Sequence, residues 1–432
     1  MSTATTIPSS KLPPLLQLIG FFARPTAFPE RLQKRFGDVF ALRVPAAEQM
    51  VFLADPDLVK AVWSQDKVNL LPDGRRITLQ PVMGPRSVLL QEGAEHLRSR
   101  KLMLPPFHGD RMRSYGDLID QITLREIESW PVGEPFALMP RMQAITLDVI
   151  LRAVFGTHAG AREDALRAAI GSVLEASNSV LTQTTVIFSV MTGFQHTPFN
   201  RKVKRMDAII YEEIADRQAA DDLDEREDIL SLLIRARDEE GNPLDRSELR
   251  DQLVTLLLAG HETTATSLAW AFDALFRNPD VREKLEASLA DGDEYLDAVI
   301  DETLRIRPTV HDVGRRLGAP ITTKDGRTIE AGTAVFAPIW LLHQREDLFP
   351  NHDEFRPERY LNGERPSGFA WIPFGGGMRR CLGASFAQFE MRRVLRLVLE
   401  QTNLQPATPR AEKLIRRPVT TVPEHGTPAI LL

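Results

Sequence analysis

A chain of 432 residues, 43% hydrophobic and 26% charged with a mean hydropathy of −0.19, has the composition of a globular protein with a large core, not of a disordered or fibrous one. Its 53 basic and 59 acidic side chains leave a formal net charge of −6, which argues against nucleic acid as the partner of the whole chain. The most apolar N-terminal stretch, Leu15 to Phe22, is far short of the roughly 20 residues a bilayer span needs and lacks a leader and a cleavage site, so no membrane anchor and a cytoplasmic location are expected; a single cysteine agrees with a reducing compartment.

Residues 1–30 are rich in Pro and Ser, and Pro13, Pro14, Pro25 and Pro29 predict an irregular N-terminal segment. Asp38 to Val44 and Met50 to Ala54 have strand composition, and Asp55-Pro56 then opens a helix. Asn69 to Leu90 reads as a turn-rich loop. Gly93 to Arg100 reads as helix with His96 and Arg100 on one face, a pair that in isolation describes a solvated surface. Asp117 to Glu175 is helical with few breakers. The apolar, irregular stretch Val180 to Phe199, with Val186 to Met191 at its centre, suits core, and a helix follows from about Arg201 to Gln218.

The long helix beginning near Asp245 carries a capping-box spacing to Glu248 and stops at Asn278-Pro279. Leu253 to Leu258 make it apolar nearly all round, so it is buried. Ala259-Gly260-His261-Glu262-Thr263-Thr264 interrupts that centre, where Gly260 alone costs about 1 kcal/mol, and a local rule broken inside a buried helix points to function. A zinc H-E-x-x-H reading fails because the fifth position is Ala265. Tyr295 to Ile306 is a further helix bearing Glu302 and Arg305, Pro308 stops it, Ile321 to Pro338 reads as a hairpin turning at Asp325-Gly326, and Arg416 to Leu432 is β-like.

The only cysteine, Cys381, lies between the glycines Gly375-Gly376-Gly377 and a helical run from Ala384 to Glu400. A lone cysteine can be a small buried hydrophobe. Here the glycines let the backbone lie against a flat partner, and a helix start favours the thiolate, which predicts a lowered thiol pKa and a metal-binding sulfur.

Phe374, Gly377, Arg379, Cys381 and Gly383 match F-x-x-G-x-R-x-C-x-G, and this stretch resembles the haem-ligand loop of the cytochromes P450. Ala259 to Thr264 resembles that family's A-G-x-[DE]-T-[TS] motif, Glu302 and Arg305 its E-x-x-R, Pro357 to Tyr360 its P-E-R-[FY], and His96 with Arg100 its H-x-x-x-R helix, all in the family's order. The resemblance implies a mainly α, single-domain P450 fold with a small β-region over residues 31–432. It implies haem b, iron protoporphyrin IX, with Cys381 as axial ligand. His96, Arg100, Arg379 and Arg315 would hold the propionates, the adjacent Arg316 leaving that register open. Glu262 and Thr263 would be the acid and alcohol of a proton relay, and Glu302, Arg305 and Arg359 a structural triad. Leu256, Ala259, Gly260, Val310, His311 and Val419 would line the substrate pocket, and Val186 to Met191 its lid.

The implied reaction is insertion of one oxygen atom from O2 into a lipophilic small molecule, such as a fatty acid, alkane or terpenoid. The haem motifs extend to residue 390 and leave no room for a flavin or iron–sulfur module, so electrons would come from a separate ferredoxin or flavodoxin with its NAD(P)H reductase. Cations near the cysteine loop (Arg379, Arg380, Arg392, Arg393) and in Arg98 to Arg113 would receive that donor. His311 and Asp312, costly to bury alone, would pair with each other or with propionates, or one would face a polar group of the substrate. A peroxide-driven peroxygenase or isomerase, and a haem-based sensor or carrier, are the alternatives. Neither needs the acid and the threonine.

Overall fold

The computed structural model describes residues 7–43, 49–64, 74–107, 111–156, 160–177, 182, 185–186, 197–361, 366, 368–417 and 419–432. The N-terminal part is not irregular: it forms α1 (Pro14–Ala23) and α2 (Ala27–Phe36). The prolines mislead because of where they fall. Pro14 and Pro29 sit in first turns, where an intrahelical N–H bond is missing in any case, and Pro25 lies between the helices.

Strands β1 (Val39–Leu42) and β2 (Met50–Leu53) pair antiparallel with Val39 opposite Leu53. Helix α3 (Pro56–Trp63) is capped by Asp55, whose carboxylate accepts from the N–H groups of Asp57 and Leu58. The stretch read as a turn-rich loop contains α4 (Gly74–Met83); Gly84, at φ +81°, closes it, so the turn-forming residues mark helix ends.

There follow α5 (Gly93–Met103), α6 (Arg111–Ile127), β3 (Pro135–Ala137), α7 (Leu138–Phe155), α8 (Ala161–Ser177), α9 (Pro198–Gln218) and α10 (Ile229–Arg235). Of the expected lid only Val186 is described, and it is buried; 187–191 lie outside the described residues. The 32-residue α11 (Arg246–Arg277) carries the predicted capping box, Asp245 accepting from the Glu248 N–H and Glu248 from the Asp245 N–H.

After it come α12 (Pro279–Ser288), α13 (Glu294–Ile306), β4 (Asp312–Arg316), β5 (Ile321–Thr322), β6 (Thr328–Ile329), β7 (Ala334–Pro338), α14 (Ile339–His343), α15 (Ala384–Gln401), β8 (Leu404–Pro406), β9 (Leu414–Arg416), β10 (Thr421–Pro423) and β11 (Pro428–Leu431). The predicted hairpin is β5–β6, whereas β7 joins a four-stranded sheet ordered β1-β2-β7-β4. The helical core is organised on α11, which packs most extensively on α7 and also on α9, α13 and α15. Burying that many leucines, valines and isoleucines around one axis is the main stabilising term, at roughly 1.5–3 kcal/mol for each fully buried side chain.

Candidate active site

From Glu248 to Asp273 every side of α11 is buried except at Leu258, Ala259, Gly260, Glu262 and Thr263. The break in pattern seen in the sequence is therefore a single opening in an otherwise enclosed helix. Gly260 packs closely there: a Cβ would lie 3.3 Å from the Ile150 side chain of α7, which would have to shift by a few tenths of an ångström. Thr263 and Thr264 send their hydroxyls back to the carbonyls of Ala259 (2.7 Å) and Gly260 (3.2 Å). His261 faces away; it is buried, burial pushes its ring down to about 4, and its carbonyl accepts from Thr146.

Glu262 does not bond to Thr263 here. Its carboxylate accepts from Arg417 Nη1 at 2.6 Å, an ion pair between residues 155 apart that no local pattern announced. The neighbouring Arg416 binds Asp312 at 2.6 Å and lies over the Phe21 ring at 4.1 Å. Thr421 is tied to Pro308 and Thr309, and Ser267 of α11 shares a hydrogen bond with Thr309. The C-terminal loop thus does reach the helix centre. Val419 is exposed, Val310 is half-buried, Leu256 is buried, and Pro418 lies outside the described residues.

The structure separates His311 from Asp312. Asp312 is satisfied by Arg416, and His311 stacks on Trp340 at 5.7 Å, buried, with burial holding its ring near 3. Trp340 in turn donates to Glu30 of α2. His311 therefore packs on Trp340, whose indole reaches α2.

The cysteine loop is a tight fold. The Cys381 N–H donates to the Phe374 carbonyl (3.0 Å), that of Gly375 to Ile372 (2.9 Å) and that of Arg380 to Gly377 (3.1 Å). Gly375 and Gly377 have φ of +67° and +64°. Side chains are excluded as well: a Cβ on Gly377 would strike the Trp63 carbonyl, and one on Gly376 the Phe369 ring. Gly383 is the N-cap of α15.

Cys381 keeps accessible surface, yet it sits deep in the protein and burial raises its thiol pKa above the usual value. The Gly383 N–H, Arg100 and Arg380 pull the other way and are outweighed. The expected depression is thus reversed, because one helix end and two cations do not match the desolvation of a sulfur at that depth. A bound metal cation would deprotonate such a thiol outright.

Beside the loop stand four nitrogen bases. His96 is buried and held at about 4, first by burial and then by Arg379, Arg100 and Arg315, which places all four in one neighbourhood. Arg100 donates to the Arg380 carbonyl (2.7 Å), Arg379 to Gln91 (2.6 Å), and Arg315 to Gly314 (2.8 Å) and Gly376 (3.3 Å). Arg315 also stacks over Trp63 at 5.2 Å. Strand alternation turns Arg316 to the other face, where it binds the Gly332 carbonyl, so Arg315 is the residue at the cysteine loop. A glycine turn closed to side chains at Gly376 and Gly377, a lone thiol and converging cations fit a flat, anionic, metal-bearing group such as haem.

The predicted triad is assembled and buried. Arg305 meets both oxygens of Glu302 at 2.7 and 2.8 Å, Arg359 adds 3.1 Å, and the Arg356 N–H 2.9 Å. Arg305 also donates to the carbonyls of His343, His352 and Glu354. His343, missed in the sequence, completes the lock: Nδ1 meets the Arg305 carbonyl at 3.2 Å and Nε2 accepts from the Ile372 N–H at 3.0 Å, nine residues before Cys381. Those two bonds assign the neutral Nδ1–H tautomer, and burial pushes the ring down to about 3.

Four of the cations expected to receive an electron donor are committed to acids within the chain. Arg98 binds Asp238 (2.6 Å) and Glu248 (3.0 Å), Lys101 binds Glu239, Arg392 binds Asp297 (2.7 Å), and Arg393 binds Asp120.

Among relatives, the protein called cytochrome P450 135B1 of Mycobacterium tuberculosis is 39% identical over 426 residues, covering 97% of this chain and 90% of its own length. Cytochrome P450 137 of the same organism is 36% identical over 401 residues, with 92% and 83% covered. A solved structure of retinoic acid-bound cyanobacterial CYP120A1 superposes with a TM-score of 0.85 at 25% identity, covering 100% of both chains. No helix among the described residues is long and apolar enough to cross a membrane. With the cytochrome P450 family model matching residues 8–427, the chain belongs to the cytochrome P450 family of haem-dependent monooxygenases.

Proposed function

We propose that Cys381 is the axial ligand of haem b, that His96, Arg100, Arg315 and Arg379 receive its two carboxylates, and that Phe374, Gly377 and Gly383 shape the loop against it. When bound, the haem supplies the iron at which O2 is activated for transfer of one oxygen atom to a C–H or C=C bond. The observation that carries this reading is the chain's one thiol in a loop where Gly376 and Gly377 have no room for a side chain, beside three guanidinium groups and a neutral, buried imidazole. Arginine suits the task because its planar fork matches a carboxylate.

Glu262 and Thr263 hold and pass protons at the opening of α11. Thr263 keeps its hydroxyl on Ala259, a bond from which it can rotate, and Arg417 holds the Glu262 carboxylate at that opening. Leu256, Leu258, Ala259 and Gly260 give the opening an apolar wall, which supports a lipophilic substrate. The retinoic acid in CYP120A1, an apolar chain with one carboxylate, supports a fatty acid or an oxygenated terpenoid. Electrons come from a separate ferredoxin or flavodoxin with its NAD(P)H reductase, in the cytoplasm. Peroxygenase and sensor readings leave the acid and the threonine without a task.

The test is Cys381→Ala. The wild-type protein, reduced and exposed to CO, should show the strongly red-shifted absorption band of a thiolate-ligated haem, and the variant should lack it. Persistence of that band in the variant would sink the assignment.

A further inference from the structure

The geometry points to a second contact that goes beyond the oxygenase reading and does not depend on it: we propose that the exposed face of α1 rests on an anionic lipid surface. The helix Pro14–Ala23 contains no charged residue. Its buried side is Gln17 and Phe21, while Leu15 (58% exposed), Leu16, Ile19 (52%) and Phe22, with Leu12 just before it, form one outward stripe at helical spacing. These five account for much of the large apolar surface left open among the described residues. Gln17 explains why the stripe is held outward: its amide donates to the carbonyls of Ser10 and Leu12 and accepts from the Arg43 N–H, which pins the polar side of the helix to the fold.

The occupant is identified by charge and length. Between Ile7 and Phe36 there are five cations, Lys11, Arg24, Arg31, Lys34 and Arg35, all exposed, against one acid, Glu30, whose carboxylate accepts from Trp340; the whole chain is net negative. A second copy of this chain would bring the same five cations to the contact and be repelled. An anionic lipid surface takes both the cations and the apolar stripe. Ten residues are half of what a bilayer span needs, so the helix lies in the interface. The contact is also continuous with the site already described. Arg416 lies over Phe21 and Phe22, exposed Ile415 and Val419 flank it, and Arg417 in the same loop holds Glu262. The lipid-facing stripe and the opening of α11 are therefore joined by one short loop.

The experiment is flotation of the haem-loaded full chain with vesicles of phosphatidylglycerol and phosphatidylcholine, and with phosphatidylcholine alone. Wild type should float with the mixed vesicles, less with the neutral ones, and less in high salt. Leu15→Ser/Ile19→Ser should lower the partition constant on the order of a hundredfold, since each side chain withdrawn from apolar contact is worth roughly tenfold or more. Both positions are exposed, so an unchanged haem spectrum will report an intact fold. Absence of vesicle binding in wild type overturns the proposal, as does equal binding by the variant. Concentration-dependent self-association that the variant abolishes would assign the stripe to a second copy and overturn it as well. None of these readouts uses turnover, so they stand apart from the test of Cys381.

Discussion

At the scale of single residues the least expected feature is the pair Glu262–Arg417. A half-buried carboxylate at the opening of α11 needs a partner, and the one it has comes from the loop before β10 rather than from its own helix. Removing the guanidinium leaves the acid unpaired while sparing α11, whose capping and packing lie elsewhere. Arg417→Ala should therefore bind substrate within about twofold of wild type yet lose several-fold in product formed per NAD(P)H consumed, with Arg417→Lys recovering part of it. In a Glu262→Gln background the same change should add little. Full coupling in Arg417→Ala would show the ion pair to be scaffolding, whereas full coupling in Glu262→Gln would remove the relay itself. The opening of α11 was legible because Gly260 and the threonines after it break a helix rule at a buried position. Arg417 was not, since a charge in a loop carries no signal of what it will meet 155 residues away.

Elements show the same division. Capping residues, the glycine-hinged cysteine loop and the Glu302–Arg305 spacing are local chemistry, and the sequence reading placed each of them. The N-terminal helices and α4 were missed because proline and glycine punctuate helix ends as readily as loops, and the direction of the Cys381 shift was missed because depth of burial is a property of the assembled fold. The lock on α13 shows what assembly adds. His343 bridges Arg305 and Ile372 and titrates at about 3 in the folded protein against 6.5 when exposed. Its neutral form contributes stability that is complete above pH 6.5 and is lost as the pH falls toward 3. Between pH 7 and pH 5 this one ring should cost about 2 kcal/mol. His261 and His311, lowered by burial to about 4 and about 3, act in the same direction. The urea midpoint should drop over that interval, and less so in His343→Asn. An equal drop in both proteins would place the sensitivity elsewhere.

Taken whole, the molecule spends most of its charge on itself. Four of the cations expected to receive an electron donor, Arg98, Lys101, Arg392 and Arg393, are engaged by Asp120, Asp238, Glu239, Glu248 and Asp297, which weakens the field that could steer a distant partner. Reduction by a ferredoxin or flavodoxin should accordingly slow less than about threefold between roughly 50 and 300 mM salt, as expected for docking by shape and short-range contact. A tenfold decline in stopped-flow reduction over that range would restore the electrostatic account.

Helix α11 has a consequence in time. Ordinary helices loosen from their ends, but this one is closed by a capping box at Asp245, stopped at Asn278, and enclosed from Glu248 to Asp273 except for the breach in the middle of that span. Amide hydrogen exchange should therefore run backwards from the usual profile. Peptides spanning Ala259 to Thr263 should take up deuterium first, through brief local openings, while the segments on either side wait for the whole fold to come apart. The helix would then be most alive at the place where a ring of neighbours holds it least, and filling that breach with a tight-binding apolar ligand should still it without altering either end.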